Sequence, residues 1–204
     1  MKRIYIVLTY TGTLLSRIIK GYTGAEFSHV SIALDEELDQ MYSFGRLKPY
    51  NPLIGGFVQE YIDKGTFKRF KNTSAKVYSM EVENNQYEKI KETINKIQNS
   101  KKRYKFNIIG LFAAGFNLKI SGKDSFYCAE FVKHVLESAG LQTNLPEVVK
   151  PESFKELKEL NLIYSGRLKN YKLARSKIAE ALENLLLHTK KEGVVWSNKV
   201  KYLK

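Results

Sequence analysis

The apolar positions along the chain change period several times, and each change marks an element. RIYIVLTY, residues 3 to 10, is β-branched and aromatic and reads as a strand. TGTLLSRIIKGYTG follows as a turn and a short helix ended by glycine. SHVSIAL (28 to 34) alternates as a half-buried strand does, acidic DEELD makes a turn, and QMYSFGR (40 to 46) returns beside it as a hairpin. NPLIGG reads as a proline and glycine loop, FVQEYI (57 to 62) as a strand, and AKVYSMEV (75 to 82) as a further alternating strand. In ENNQYEKIKETINKIQNSKK the period lengthens: Tyr87, Ile90, Ile94 and Ile97 are three or four apart, the stripe of an amphipathic helix.

Phe131, Val132, Val135, Leu136 and Ala139 mark one face of another helix, closed by Gly140. PESFKELKEL is a short helix opened by proline, and NLIYSGRL (161 to 168) a last strand. From Asn170 a stripe through Tyr171, Ala174, Ile178, Ala181, Leu182 and Leu185 predicts a C-terminal amphipathic helix with a basic end. Strands precede helices instead of alternating with them, which points to an α+β architecture. The expected division is a main domain over residues 1–168 and a helical extension over 169–204.

Composition narrows the picture little. The chain has 204 residues, 43% of them hydrophobic, enough for one well-formed core. A single cysteine makes no internal disulfide, and the N-terminal apolar run is too short for a secretory signal, so a reducing, cytoplasmic setting is expected. FNIIGLFAAGFNL (106 to 118) is shorter than the roughly 18 to 20 residues that cross a bilayer; it reads as a buried segment or as a surface meeting apolar substrate, with core packing the first expectation. A net charge of +13 attracts phosphates, anionic lipid head groups and acidic partners alike. The basic residues are scattered apart from KKRYK at 101 to 105, with no zinc finger, RNP-type signature or helix-turn-helix pattern, so dedicated nucleic-acid binding is not expected.

Chemistry enters with Cys128, in KDSFYCAEFVKHVLESAG. With Asp124 or Ser125 as N-cap, Cys128 falls in the first helical turn, where free N–H groups and the helix dipole favour thiolate. Free cysteine is equally a common core filler, and position alone leaves both roles open. A nucleophilic thiol needs a base. His134, six positions along the same helix, points about 240° away. His188, in LLLHTKK, needs no explanation beyond a helix C-terminus. His29 opens an apolar strand and shares a face with Ser31 and Ala33, so it can be aimed at a helix packed on that sheet; an exposed strand histidine fits the same residues. Three scattered histidines and one cysteine show no metal-ligand spacing, and no cofactor is expected.

FSHVSIALDEELDQMYSFGR followed by FYCAEFVKHVLESAG resembles the circularly permuted papain-like cysteine hydrolases, relatives of the NlpC-type peptidases such as the YiiX-like proteins, and of the lecithin:retinol acyltransferase group. In these the histidine strand precedes the cysteine helix, as it does here, and the likeness spans roughly residues 3 to 168. It implies a permuted papain-like (NlpC-type) α+β fold, an antiparallel sheet packed against the cysteine-bearing helix. It also implies Cys128 as nucleophile, His29 as base, and a third, orienting polar residue on the strand after the histidine strand. Pairing the hairpin places Ser43 nearest that position, with Gln40 and Tyr42 beside it. Serine departs from the family's histidine, glutamate or glutamine: it can hold an imidazole tautomer but cannot offset imidazolium charge. The backbone N–H of Cys128 is the expected oxyanion donor, with a second from residues 10–13. Glu130 reads as a first-turn acid favoured by the dipole, and Arg46 and Lys48 as cleft-bordering cations.

The expectation for function is therefore a thiol hydrolase acting on a peptide, amide or acyl-ester substrate through a thioacyl-enzyme, or an acyltransferase if another acceptor replaces water. The rival is a catalytically silent module that uses the same cleft to bind a ligand. An anionic or lipid-like ligand would suit the basic surface and the apolar 106 to 118 segment.

Overall fold

The computed structural model describes residues 1–48, 51–100, 104–120, 122, 124–157 and 160–191; the basic run at 101–103, the basic end beyond 191 and the side chain of His188 lie outside what it describes. In chain order the elements are β1 (Lys2–Tyr10), α1 (Leu14–Thr23), β2 (His29–Ala33), β3 (Met41–Lys48), β4 (Asn51–Glu60), α2 (Gly65–Arg69), β5 (Ser74–Val82), α3 (Asn84–Gln98), β6 (Lys105–Phe106), α4 (Ile108–Gly115), β7 (Ser125–Phe126), α5 (Cys128–Ser138), β8 (Leu160–Arg167) and α6 (Tyr171–Lys191), with a 3-10 turn at Pro151–Glu156. The fold is α+β. Six strands form one sheet in the order β4-β3-β2-β1-β5-β8, every neighbouring pair antiparallel, and β6 and β7 make a short parallel pair. Among the described residues no helix is long and apolar enough to cross a membrane.

Local chemistry accounts for the element ends that frame the site. Thr13 caps α1, its Oγ1 accepting from the Ser16 N–H at 3.3 Å, and Gly24 ends that helix at φ 66°, a left-handed conformation that suits glycine. The β2–β3 turn is held by the Asp35 carboxylate, which accepts from the N–H groups of Asp39 and Gln40, each at 2.7 Å. That turn sets the register Ile32↔Tyr42 and Ala33↔Met41.

Alternation then sends Val30, Ile32 and Leu34 into the core shared with α5. There Phe131 packs on Phe44 and Phe57, ring centroids 5.3 and 5.7 Å apart, and Val132, Val135 and Leu136 are fully buried. Ile90, Ile94 and Ile97 of α3 join the same core. Fully burying each such side chain is worth about 1.5–3 kcal/mol, so α5, and with it Cys128, is anchored along several turns.

Three expectations are corrected. NPLIGG is no loop: strand β4 runs through it from Asn51 to Glu60, and residues 61 and 62 lie beyond the strand. β4 is the edge strand of the sheet, where a proline's missing N–H is tolerated. Gly55 is needed because Phe106 lies against it; a Cβ there would sit 2.7 Å from the Phe106 ring. The cap of α5 is Tyr127, not Asp124 or Ser125, because residues 125 and 126 are held extended in β7. The 106 to 118 segment is divided: Gly110, Ala113 and Ala114 are buried, while Ile109 is 66% and Phe116 62% exposed.

The chain separates into two compact units, Met1–Lys169 and Asn170–Lys204. The first holds the sheet and helices α1 to α5. In the second, α6 leaves Leu173, Ile178, Leu182 and Leu185 exposed.

Candidate active site

Cys128 is the first residue of α5, so its sulfur and its backbone N–H both stand at the positive end of the helix dipole. Tyr127 just before it is locked: its hydroxyl donates to the Val149 carbonyl at 2.8 Å, and its N–H donates to Glu130 Oε2 at 3.2 Å. Glu130 thus acts as a reach-back cap of the first turn. Burial holds its carboxyl above the usual carboxylate range, and burial likewise raises the Tyr127 phenol. Cys128 is buried at 3% exposure but lines an open cleft together with His29, Glu60, Arg46, Thr11 and Gly45.

His29 is the first residue of β2, beside Thr9 of β1. Its Nε2 lies 3.0 and 3.1 Å from the two carboxylate oxygens of Glu60. Ser31 donates its hydroxyl to Glu60 Oε2 at 2.5 Å, which fixes the carboxylate from a second side. Both members of the pair are largely buried, the His29 side chain 18% and the Glu60 side chain 10% exposed. The Cys128 side chain stands beside the same ring and favours its charged form. With Nε2 on the carboxylate, Nδ1 is the nitrogen left for sulfur. Burial opposes the charged imidazole, yet the Glu60 carboxylate and then the Cys128 contact outweigh it, and the His29 pKa is pushed up to about 10.

The meeting of His29 and Glu60 depends on a glycine. β2 and β4 are not neighbours; β3 runs between them, and the registers set Glu60 level with Met41 and Ala33 instead of His29, so the two side chains meet by reaching both across and along β3. Carrying the β2–β3 register back from Ile32↔Tyr42 puts Gly45 opposite His29. A Cβ on Gly45 would lie 3.4 Å from His29 Cε1 and 3.6 Å from Glu60 Oε1, so the bare backbone of Gly45 is the floor over which the two side chains touch.

Ser43, expected as the orienting residue, is not at the imidazole. It is fully buried and donates its hydroxyl to the Val30 carbonyl at 2.7 Å, a tie within the hairpin. The side chain that meets the imidazole is Glu60. That residue was visible in the sequence as the acid of FVQEYI, but nothing short of the β3–β4 register, which pairs Glu60 with Met41, points it toward His29. His134 is exposed and stacks on Phe126 at 5.1 Å. Arg46 lines the cleft, as expected of a bordering cation, and donates to Thr13 Oγ1. Among the described residues no three His, Cys, Asp or Glu side chains are grouped to hold a metal ion.

No protein-family model matches the chain, and no curated protein does. Among solved structures, it is similar to the crystal structure of the metalloprotein YiiX from Escherichia coli O157:H7 (DUF1105), with 16% identity and a TM-score of 0.51. The match covers 81% of this chain and 98% of that one. At that identity the likeness is one of fold, and the α+β architecture found here is YiiX-like.

Proposed function

We propose that the chain is a cysteine hydrolase on a circularly permuted papain-like fold, with Cys128 as nucleophile, His29 as its acid–base partner and Glu60 as the group that orients and charges the imidazole. The observation that carries this reading is that the His29 ring, held by Glu60, lines the same open cleft as Cys128 at the N-terminus of α5. A nucleophile, a base in contact with it and a third group fixing the base are the parts that covalent acyl transfer requires.

With the His29 pKa at about 10, the ring is an imidazolium at neutral pH, and the attacking species is the thiolate form of Cys128 beside it. The thiolate attacks the carbonyl of an amide or ester, and the backbone N–H of Cys128 donates to the oxyanion that forms. Collapse of the tetrahedral intermediate breaks the bond to the leaving group, which takes its proton from His29, and a thioacyl-enzyme remains. Neutral His29 then accepts a proton from water as the water oxygen attacks the thioester. The acid product leaves, and thiolate and imidazolium are restored. An amine or alcohol in place of water makes the same site an acyltransferase. The YiiX structure is that of a metalloprotein, but the residues of this site do not fit that role: His29 Nε2 is committed to Glu60, and no third ligand side chain stands with the pair among the described residues.

The reading is tested on the thiol itself. Iodoacetamide at pH 6 should alkylate Cys128 at least tenfold faster than a cysteine in an unstructured peptide, and His29→Ala should remove that advantage. Equal rates for protein and peptide would exclude the hydrolase and leave the silent binding module.

A further inference from the structure

Arg46 stands apart from the other cations of the fold. Lys76 and Lys155 pair with Glu26, Lys119 with Glu147 and Arg3 with Glu81, all as ordinary surface ion pairs. Arg46 is half-buried and lines the Cys128 cleft, yet its contacts are the Thr13 hydroxyl, which accepts from Nη2, and the face of Phe70, 5.8 Å away. Among the described residues no carboxylate pairs with it. Among the described residues that line its cleft, the one acid, Glu60, is spent on His29 and Ser31. Burial acts on Arg46 alone, without an acidic group to offset it.

A partly desolvated cation is stable at such a place when a counter-charge meets it. The guanidinium has five N–H donors in a planar fork that fits two oxygens of one group, and Thr13 occupies only part of it. Arg46 also lines the adjoining hollow, between β3, β4 and the start of α2, where Lys64 adds a second positive charge. Its backbone follows Gly45, the floor on which His29 and Glu60 meet.

We infer that Arg46 binds an oxyanion group of the substrate, a carboxylate or a phosphate, so that the substrate is an acyl compound carrying negative charge close to its scissile carbonyl. This rests on the hydrolase reading of the same cleft and narrows it to anionic substrates. The adjoining hollow, with Arg46 and Lys64 on its walls, receives the charged portion, while the carbonyl lies at Cys128.

Iodoacetate and iodoacetamide differ by one charge at nearly equal size, so the ratio of their alkylation rates at Cys128 reads anion binding separately from thiol reactivity. In the full-length protein the ratio should exceed that of a cysteine peptide. Arg46→Gln should lower it about tenfold, the loss of one charge-assisted interaction, and Arg46→Lys should fall between. His29 contributes its own charge equally in all three proteins, so the comparison cancels it.

Acetate and inorganic phosphate, each added as a protectant against iodoacetamide, distinguish the two oxyanions: the better protector identifies the group, and its protection should weaken in Arg46→Gln. A ratio unchanged in Arg46→Gln would overturn the inference while leaving the hydrolase standing, and Arg46 would be a tie between Thr13 and Phe70 only. A thiol no faster than the peptide toward either reagent would overturn both.

Discussion

At the scale of single residues, the proposed chemistry turns on one proton, and Glu60 is what holds it on His29. Coulombic attraction to Glu60 is the largest effect raising the imidazole pKa against the cost of burial. An NMR titration of the His29 ring should therefore place its midpoint near pH 10, and in Glu60→Gln that midpoint should fall by more than a unit, since the amide keeps a hydrogen bond but not the charge. Stability follows with a definite sign. Because the folded value lies above the ordinary 6.5, the pair's contribution is fully present below about pH 6.5 and is lost as pH rises through about 10. In urea denaturation the advantage of the wild type over Glu60→Gln should shrink across that window; a constant difference from pH 6.5 to 10.5 would count against an imidazolium held by Glu60. Cys128 and His29 were legible because their order and their local elements, a strand start and a helix start, are written in adjacent residues. Glu60 was not, since it lies 31 positions from His29 and two strands away. Ser43 stood closer in the hairpin pattern, but its hydroxyl had a nearer acceptor in the Val30 carbonyl.

At the scale of elements, period decided most of the outcome. The strand at residues 75–82 and the stripes of α3 and α5 were readable because their apolar spacing of two, or of three and four, is the burial pattern itself. NPLIGG misled because proline and glycine are loop punctuation in isolation, whereas in β4 each answers to a tertiary circumstance: the proline to an edge strand, Gly55 to the ring of Phe106. That explanation is open to test. Gly55→Ala puts a Cβ 2.7–2.8 Å from Phe106 and should destabilise the fold by about 1–3 kcal/mol in chemical denaturation. The loss should be largely recovered when Phe106 is also replaced by alanine, because the two substitutions share one contact. A full loss in the double variant would mean that backbone freedom, not the ring, requires glycine there.

At the scale of the whole molecule, charge and fold act over different ranges. A net charge of +13 draws anions toward the protein from a distance, an effect that salt screens within about 10 Å at 0.1 M and about 3 Å at 1 M. Raising the salt from 10 mM to about 1 M should therefore slow iodoacetate labelling of Cys128 several-fold while iodoacetamide changes little. The preference that survives high salt is the share due to close contact in the cleft, and its disappearance would assign all of it to the distant field. The sequence by itself determined the α+β class, the strands and helices other than α2, α4, β6, β7 and the first half of β4, and the placing of a histidine at a strand start and a cysteine at a helix start, because each follows from periodicity or from a few neighbouring residues. Only the tertiary structure decided that β3 would present Gly45 between β2 and β4, that Glu60 and not Ser43 would meet His29, and that Arg46 would face the cleft without an acid. Those are contacts between strands joined by backbone pairing. Hydrogen-bonded register sets them, and a one-residue shift in register would have turned each of these side chains to the other face.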